Sequence, residues 1–261
     1  MINGECMTWL QKHQGTLKDD CRVVFPDQLS QVAALRNASV VSCLVDFSLI
    51  RVEGDDALTF LQGQLSSDVR EVNGSHAQYS SYSTAKGRML ASFLIWHHQD
   101  AYWLMVSSDI ADAIVRRLSM FVLRSKVKIT RQADWSLIGL QGPVADQWVH
   151  GMHPDKALDR GMVLSVDGRV VVVLPGQGYV LAVEGNARLV EKVLEQPSLM
   201  PVGTDVWCLR DIDAGIAWVR LATQEQFVPQ MANMEKIGAV SFKKGCYPRP
   251  EIVARAQYRG K

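Results

Sequence analysis

The 261 residues are 48% hydrophobic, enough for a sizeable core, and a net charge of +1 singles out neither nucleic acid nor a membrane surface as partner. No apolar run reaches the roughly 18 residues that span a bilayer, and residues 1–20 lack a basic segment followed by an apolar one, so neither an anchor nor a secretory signal is expected. Five widely spaced cysteines (Cys6, Cys21, Cys43, Cys208 and Cys246) without a C-x-x-C argue against a disulfide framework and against a zinc site, which leaves a reduced, cytoplasmic protein.

Residues 1–37 read as a polar lead-in with a short helix near 7–14. Organised structure is expected from residue 38, where "VVSCLVDFSLIRVEG" (40–54) has the β-branched character of a strand. Asp55 then stands as the cap of "DALTFLQGQL", in which Ala57, Leu58, Leu61 and Leu65 fall at helical spacing. Three strands are expected at 77–83, 88–96 and 101–107, followed by an amphipathic helix from Ile110 to about Val122 with Ile110, Ile114, Leu118 and Phe121 on its apolar face.

The same order then recurs. "WSLIGLQG" (135–142) reads as a strand ending in glycine, and Pro143 opens a short helix. Strands are expected at 162–166, 169–174 and 179–183, the first two joined through Asp167-Gly168, and a helix covers 186–196. This twofold order divides the chain into the lead-in 1–37, a first half 38–132, a second half 133–200 and a return segment 201–261. It predicts an α+β fold of two pseudo-repeated halves with antiparallel sheets. The polar passage "RLATQEQFVPQMANMEKIGAVSF" is long for a connection and has no continuous period.

The last 19 residues, "KKGCYPRPEIVARAQYRGK", hold six Lys/Arg against one Glu. Cys246 sits among Lys243, Lys244 and Arg249, just before Pro250 and Glu251, which look like a helix start. Nearby cations and a helix N-terminus both favour a thiolate. A small buried hydrophobe beside a solvated basic helix is the other reading of the same residues. In "TAKGR", Lys86 and Arg88 have the charge to meet an anionic ligand, although Lys-Gly is also ordinary hairpin chemistry. The pairs His97/His98 and His150/His153 have no matched second cluster, so no metal site is expected. "GLQG" lacks the remainder of a phosphate loop, and no G-x-S-x-G is present. Phe47 and Trp207 are aromatic side chains of the kind that grip flat heteroaromatic ligands, and also of the kind that fill cores.

Taken in order, "FLQGQLSSDV", "AKGR", "DAGI", "FVPQ" and "SFKKGCY…EIVARAQYRG" resemble the folate-binding YgfZ family. This bacterial group is related to a mitochondrial iron–sulfur assembly factor and lies within the superfamily of the glycine-cleavage aminomethyltransferase. The resemblance runs from about Val40 to the last residue. It implies two halves around a central channel, binding of tetrahydrofolate, and support of iron–sulfur enzymes or assembly factors, with tRNA methylthiolation served indirectly. Direct nucleic-acid binding and membrane attachment are not implied. Cys246 matches the family's motif cysteine, flanked by Lys244, Gly245 and Tyr247, and Glu251 and Arg255 match its later Glu and Arg. Phe47 falls where the family usually has a folate-side Trp, and Trp207 falls on the second such Trp. Lys86, Arg88 or the basic tail would meet the folate glutamate.

Two departures stand out. Arg249 and Pro250 replace the family's Gly and Gln, and the chain ends at Lys261 where relatives continue into a small β-barrel. The first removes backbone freedom and an amide. A folate-dependent one-carbon transferase or demethylase is the alternative, against which the "STAKGR" turn offers no carboxylate. A scaffold that has lost function is a third reading.

Overall fold

Two repeats of strand, helix, three strands and helix build the chain, as the computed structural model shows for its described residues, 4–154, 157–166, 168–185 and 187–244. The opening segment is more than a lead-in: α1 (Gly4–Lys12), a hairpin of β1 (Thr16–Leu17) and β2 (Val23–Val24), and α2 (Gln28–Asn37) come first. Asp27 starts α2 from a left-handed backbone (φ 54°), its carboxylate accepting from Ser30 N at 3.1 Å. The single strand expected over 40–54 is two, β3 (Val40–Cys43) and β4 (Phe47–Glu53), which enter different sheets.

The first repeat is then β4, α3 (Ala57–Gln64), β5 (Gln78–Ser83), β6 (Met89–His98), β7 (Ala101–Ser107) and α4 (Ser108–Ser119). After β8 (Lys128–Gln132) comes the second: β9 (Trp135–Gln141), α5 (Pro143–Met152), β10 (Val163–Val166), β11 (Arg169–Val173), β12 (Tyr179–Glu184) and α6 (Ala187–Leu194). A short β13 (Met200–Pro201) and α7 (Thr204–Asp213) follow. The sheets have matching orders, β5-β6-β7-β4-β8 and β10-β11-β12-β9-β3-β13. In each, two hairpins lay three strands side by side, and the repeat's opening strand pairs with the last of them. Hairpin pairing is antiparallel, and only the addition of β13 to β3 is parallel among the pairs with an assigned register. The fold is thus α+β with antiparallel sheets.

Contacts group the chain into two compact units, Met1–Phe47 with Ala133–Ala214, and Ser48–Gln132 with Gly215–Lys261. In the first unit, alternate residues of the six-stranded sheet (Val41, Cys43, Ile138, Leu140, Val171, Leu181, Val183) pack against Cys6, Trp9 and Leu10 of α1, Ala145 and Val149 of α5, and Val190 and Val193 of α6. Trp9 satisfies its indole N–H on Leu194 O at 3.0 Å. The residue between Ile138 and Leu140 is Gly139, and a Cβ there would lie 2.6 Å from the Trp207 ring of α7.

In the second unit β6 is buried from Met89 to Trp96, so it reads as a continuous apolar run rather than an alternation. α4 packs by Ile110, Ala111, Ile114 and Leu118. It ends at Ser119, short of the expected Val122, and Phe121 is exposed instead of belonging to the apolar face. The long polar passage is tied down by the sheet: Glu225 N donates to Met89 O and Met89 N to Phe227 O, and just before the passage Val219 N donates to Ser92 Oγ, each at 2.8 Å. Those bonds replace the periodicity that the passage lacks. No helix among the described residues is long and apolar enough to cross a membrane.

Because the Trp207 ring occupies the space over Gly139, Gly139→Ala is expected to cost about 1–3 kcal/mol by overpacking. Urea denaturation checks it: a midpoint equal to that of the parent chain would show that the ring yields without cost.

Candidate functional site

The chemistry-bearing motifs of the second unit meet where the segment 241–244 runs beside the turn after α3. α3 ends at Gln64 because Leu65 leaves the helix into an extended conformation (φ −99°, ψ 162°), its N–H still bonded to Leu61 O. A helix end leaves its last carbonyls without intrahelical donors and carries a partial negative charge. The Lys244 ammonium fills that role. Its Nζ donates to Gln62 O at 2.8 Å, to Ser67 O at 2.9 Å and to Leu65 O. Lys244 is 9% exposed. Burial pulls its pKa down to about 8; the Asp68 carboxylate opposes the shift and Arg70 adds to it.

A buried polar ladder supports the same turn. Ser66 Oγ accepts from Ser81 N at 2.8 Å and donates to Ala239 O at 2.6 Å. Ser67 Oγ donates to Ser80 Oγ at 2.7 Å and accepts from Gln78 Nε2 at 3.0 Å. Ser241 N donates to Ser66 O at 2.9 Å, which brings the 241–244 backbone against the turn. Asp68 accepts from Gln62 Nε2 at 3.0 Å and from Arg70 Nε at 2.8 Å, and the guanidinium holds its carboxyl at about 2. "FLQGQLSSDV" and "SFKK", far apart in the chain, are therefore one hydrogen-bonded assembly. "AKGR" and "FVPQ" are joined in the same way: Arg88 Nη1 donates to Gln226 O at 2.8 Å, beside the Met89–Phe227 backbone bond.

The sequence-derived site residues divide as follows. Lys244 lies at the heart of this cluster. Lys86 and Arg88 are exposed on the β5–β6 hairpin, where Gly87 turns the chain at φ 77°. Phe47 and Trp207 are buried residues of the first unit, and the Arg210 guanidinium lies 5.4 Å from the Trp207 ring centroid. Cys246, Tyr247, Glu251 and Arg255 lie outside the described residues. Sequence reasoning did not single out Ser66, Ser67, Ser80, Ser81, Gln78 or Asp68 as members of a site. Their signal was two serine-rich runs, "LSSD" and "YSSYS", in segments otherwise bound for the interior. Among the described residues no group of three or more His, Cys, Asp or Glu converges.

Comparison with known proteins adds four findings. A family model described as the GCVT N-terminal domain matches residues 7–165. The tRNA-modifying protein YgfZ of Sodalis glossinidius is 29% identical over 243 residues, covering 92% of this chain and 73% of that protein. The protein of the same name from Vibrio atlanticus is 30% identical over 215 residues, 82% of this chain, and the chain spans 64% of its length. The crystal structure of the glycine cleavage system aminomethyltransferase T from Bartonella henselae matches with a TM-score of 0.83 at 16% identity, covering 98% of this chain and 74% of that one. That last likeness is one of fold.

Lys244→Met leaves three carbonyls without their buried donor, at an expected cost of about 1–3 kcal/mol at neutral pH. The unfolded amine titrates near 10.5 and the folded one near 8, so unfolded chains bind more protons between those values. The protonation-linked part of the Lys244 contribution is thus fully present above 10.5 and is lost as pH falls through 8, and the carbonyl hydrogen bonds are what remains at neutral pH. Urea midpoints at pH 7 to 10 should show the gap between parent and Lys244→Met widening with pH. A constant gap would contradict the assignment.

Proposed function

Because the chain belongs to the GCVT N-terminal domain family, we propose that it is a cytoplasmic folate-binding accessory protein for the assembly or repair of iron–sulfur clusters, serving tRNA modification through its client enzymes. The tRNA link is supported by relatives named tRNA-modifying proteins. The folate and iron–sulfur links are supported by the resemblance of the ordered motifs.

The observation that carries the reading is the carbonyl cage around Lys244. It ties Lys244, two residues before Cys246 in the chain, to the end of α3 at a buried point. An ammonium has three protons to donate, and the cage presents three carbonyls. This commitment supports a positioning role for Lys244. Cys246 is then the reactive group, a redox-responsive or cluster-handling thiol. A single cysteine ligand does not hold a cluster by itself, so a cluster in transit would take its other ligands from a partner or an added thiol.

Tetrahydrofolate is the small-molecule partner in this reading. Phe47 and Trp207 are assigned to the pterin or aminobenzoyl group, Lys86 and Arg88 to the glutamate, and Tyr247, Glu251 and Arg255 to the motif that accompanies Cys246. A one-carbon transfer is less well served. Asp68 is bound by Arg70 and held at about 2, which makes it a poor proton acceptor at neutral pH.

Isothermal titration of the folded protein with tetrahydrofolate is expected to show saturable binding, weakened by Phe47→Ala and by the Lys86→Ala/Arg88→Ala pair. Trp207 is less informative, because its substitution also removes packing over Gly139. In a strain lacking its own YgfZ, the parent chain should restore tRNA methylthiolation and Cys246→Ala should not. Absence of binding defeats the folate assignment, equal rescue by Cys246→Ala defeats the thiol's role, and turnover of methylenetetrahydrofolate would favour the transferase.

A further inference from the structure

Residues 113–132 carry Arg116, Arg117, Arg124, Lys126, Lys128 and Arg131 and not one acid, which makes them as basic as the cysteine-containing tail. Between the end of α4 and β8 they also display large apolar side chains. Met120 is 64% exposed, Phe121 47% and Leu123 87%. Scattered exposed apolar residues are ordinary, but three within four positions form a patch.

The patch is held in place. Phe121 N bonds to Leu118 O at 3.0 Å, Ser125 N to Val122 O at 2.8 Å, and Lys126 N to the Asp56 carboxylate at 2.7 Å. Leu123 adopts a left-handed backbone (φ 47°), which a leucine seldom does, while its side chain points to solvent. The loop thus keeps an unfavourable conformation and an exposed leucine together. Beside it lies a cleft of about 890 Å³, lined by Asp56, Thr59, Phe60, Gly63 and Gln64 from the α3 side and by residues 121–125 from the loop.

The charges around this cleft narrow the occupant. Lys126 pairs with Asp55 at 3.1 Å, Lys128 with Glu53 at 3.3 Å and Arg131 with Asp112 at 2.7 Å. Among the described residues Arg116, Arg117 and Arg124 make no ion pair; Arg117 is engaged with Tyr82, and Arg124 lines the cleft. Cations this few are a small footprint for a nucleic-acid backbone, whereas an apolar cleft with Arg124 in its wall, and Arg116 one helical turn before the exposed Met120, suits apolar side chains flanked by acids. A concave site takes an inserted side chain, and this argues against a flat lipid surface.

We propose that the α3/121–125 cleft is a docking site for a partner protein presenting an amphipathic helix, whose apolar residues fill the cleft while flanking Asp or Glu meet Arg116 and Arg124. The proposal does not rest on the folate reading.

The probe is a fluorescein-labelled synthetic helix with Leu at i, i+3, i+4 and i+7 and Glu at the remaining positions, followed by fluorescence anisotropy with the full chain. Saturable binding is expected. It should weaken at least about tenfold in Phe121→Asp/Leu123→Asp, as for a hot-spot pair, and severalfold when salt rises from about 50 to about 300 mM. The melting temperature of the double variant should match that of the parent, since both side chains are exposed. No binding, undiminished binding to the double variant, or equal binding of the same peptide with Lys in place of Glu would overturn the proposal. So would a double variant that instead abolishes self-association, or binding of a single-stranded RNA or of anionic vesicles.

Discussion

A lysine ammonium buried against the end of a helix constrains much of the second unit. Removing a cation from water is costly unless several oxygens replace its hydration. The carbonyls of Gln62, Leu65 and Ser67 do so because α3 stops where it does, leaving acceptors that the helix cannot use. The helix end is electrically matched to a cation, so the same geometry satisfies both partners. Lys244 cannot be seated unless the turn 65–68 is formed, and that turn needs Ser80 and Ser81 from β5 and the backbone of residues 239 and 241. Stretches separated by well over a hundred residues are therefore mutually dependent, and the cysteine motif begins from their junction.

The repeat was legible because hairpins are local. Asp167-Gly168, the polar punctuation and the alternating apolar residues bounded the strands, and antiparallel order follows from short connections. What escaped detection was structure whose buried face is polar. α7 buries Arg210 and Asp211 as an ion pair, with Arg210 also donating to Gln177 O and Pro175 O, so its inward side reads as charged. α2 buries Gln31, whose amide donates to Pro26 O and accepts from Gly203 N. Such positions break a hydrophobic period although their side chains are fully engaged. The division of 40–54 into β3 and β4 was hidden for the opposite reason, since both pieces are mostly buried and rich in apolar residues.

The candidate site was legible at its cation but not at its acceptors. A lysine beside a cysteine can be read from sequence, whereas backbone carbonyls carry no residue identity. The serine ladder shows the same limit in a milder form: serines in a strand suggest an outer face, yet Ser80 and Ser81 are almost completely buried because Ser66 and Ser67 bond to them. The apolar face assigned to α4 failed at one residue. Three of its four members pack inward, and Phe121 does not because the helix has ended two residues earlier. A period of 3.6 continues on paper past the point where the backbone turns.

That turn is dictated from a distant part of the chain. Gly54 stands at φ 118°, and a Cβ on it would come within 2.1 Å of Lys126 O, so any other residue there would displace the end of the 120–126 loop. Asp56, two residues on, anchors the same point through Lys126 N rather than capping its own helix with its side chain. The start of α3 has thus given up a cap hydrogen bond to hold the loop, and the loop in turn holds Leu123 in a strained, exposed pose. Each local choice is unfavourable when considered separately. Together they define one wall of the cleft, and they are consistent with a surface shaped for contact rather than for the stability of the isolated chain.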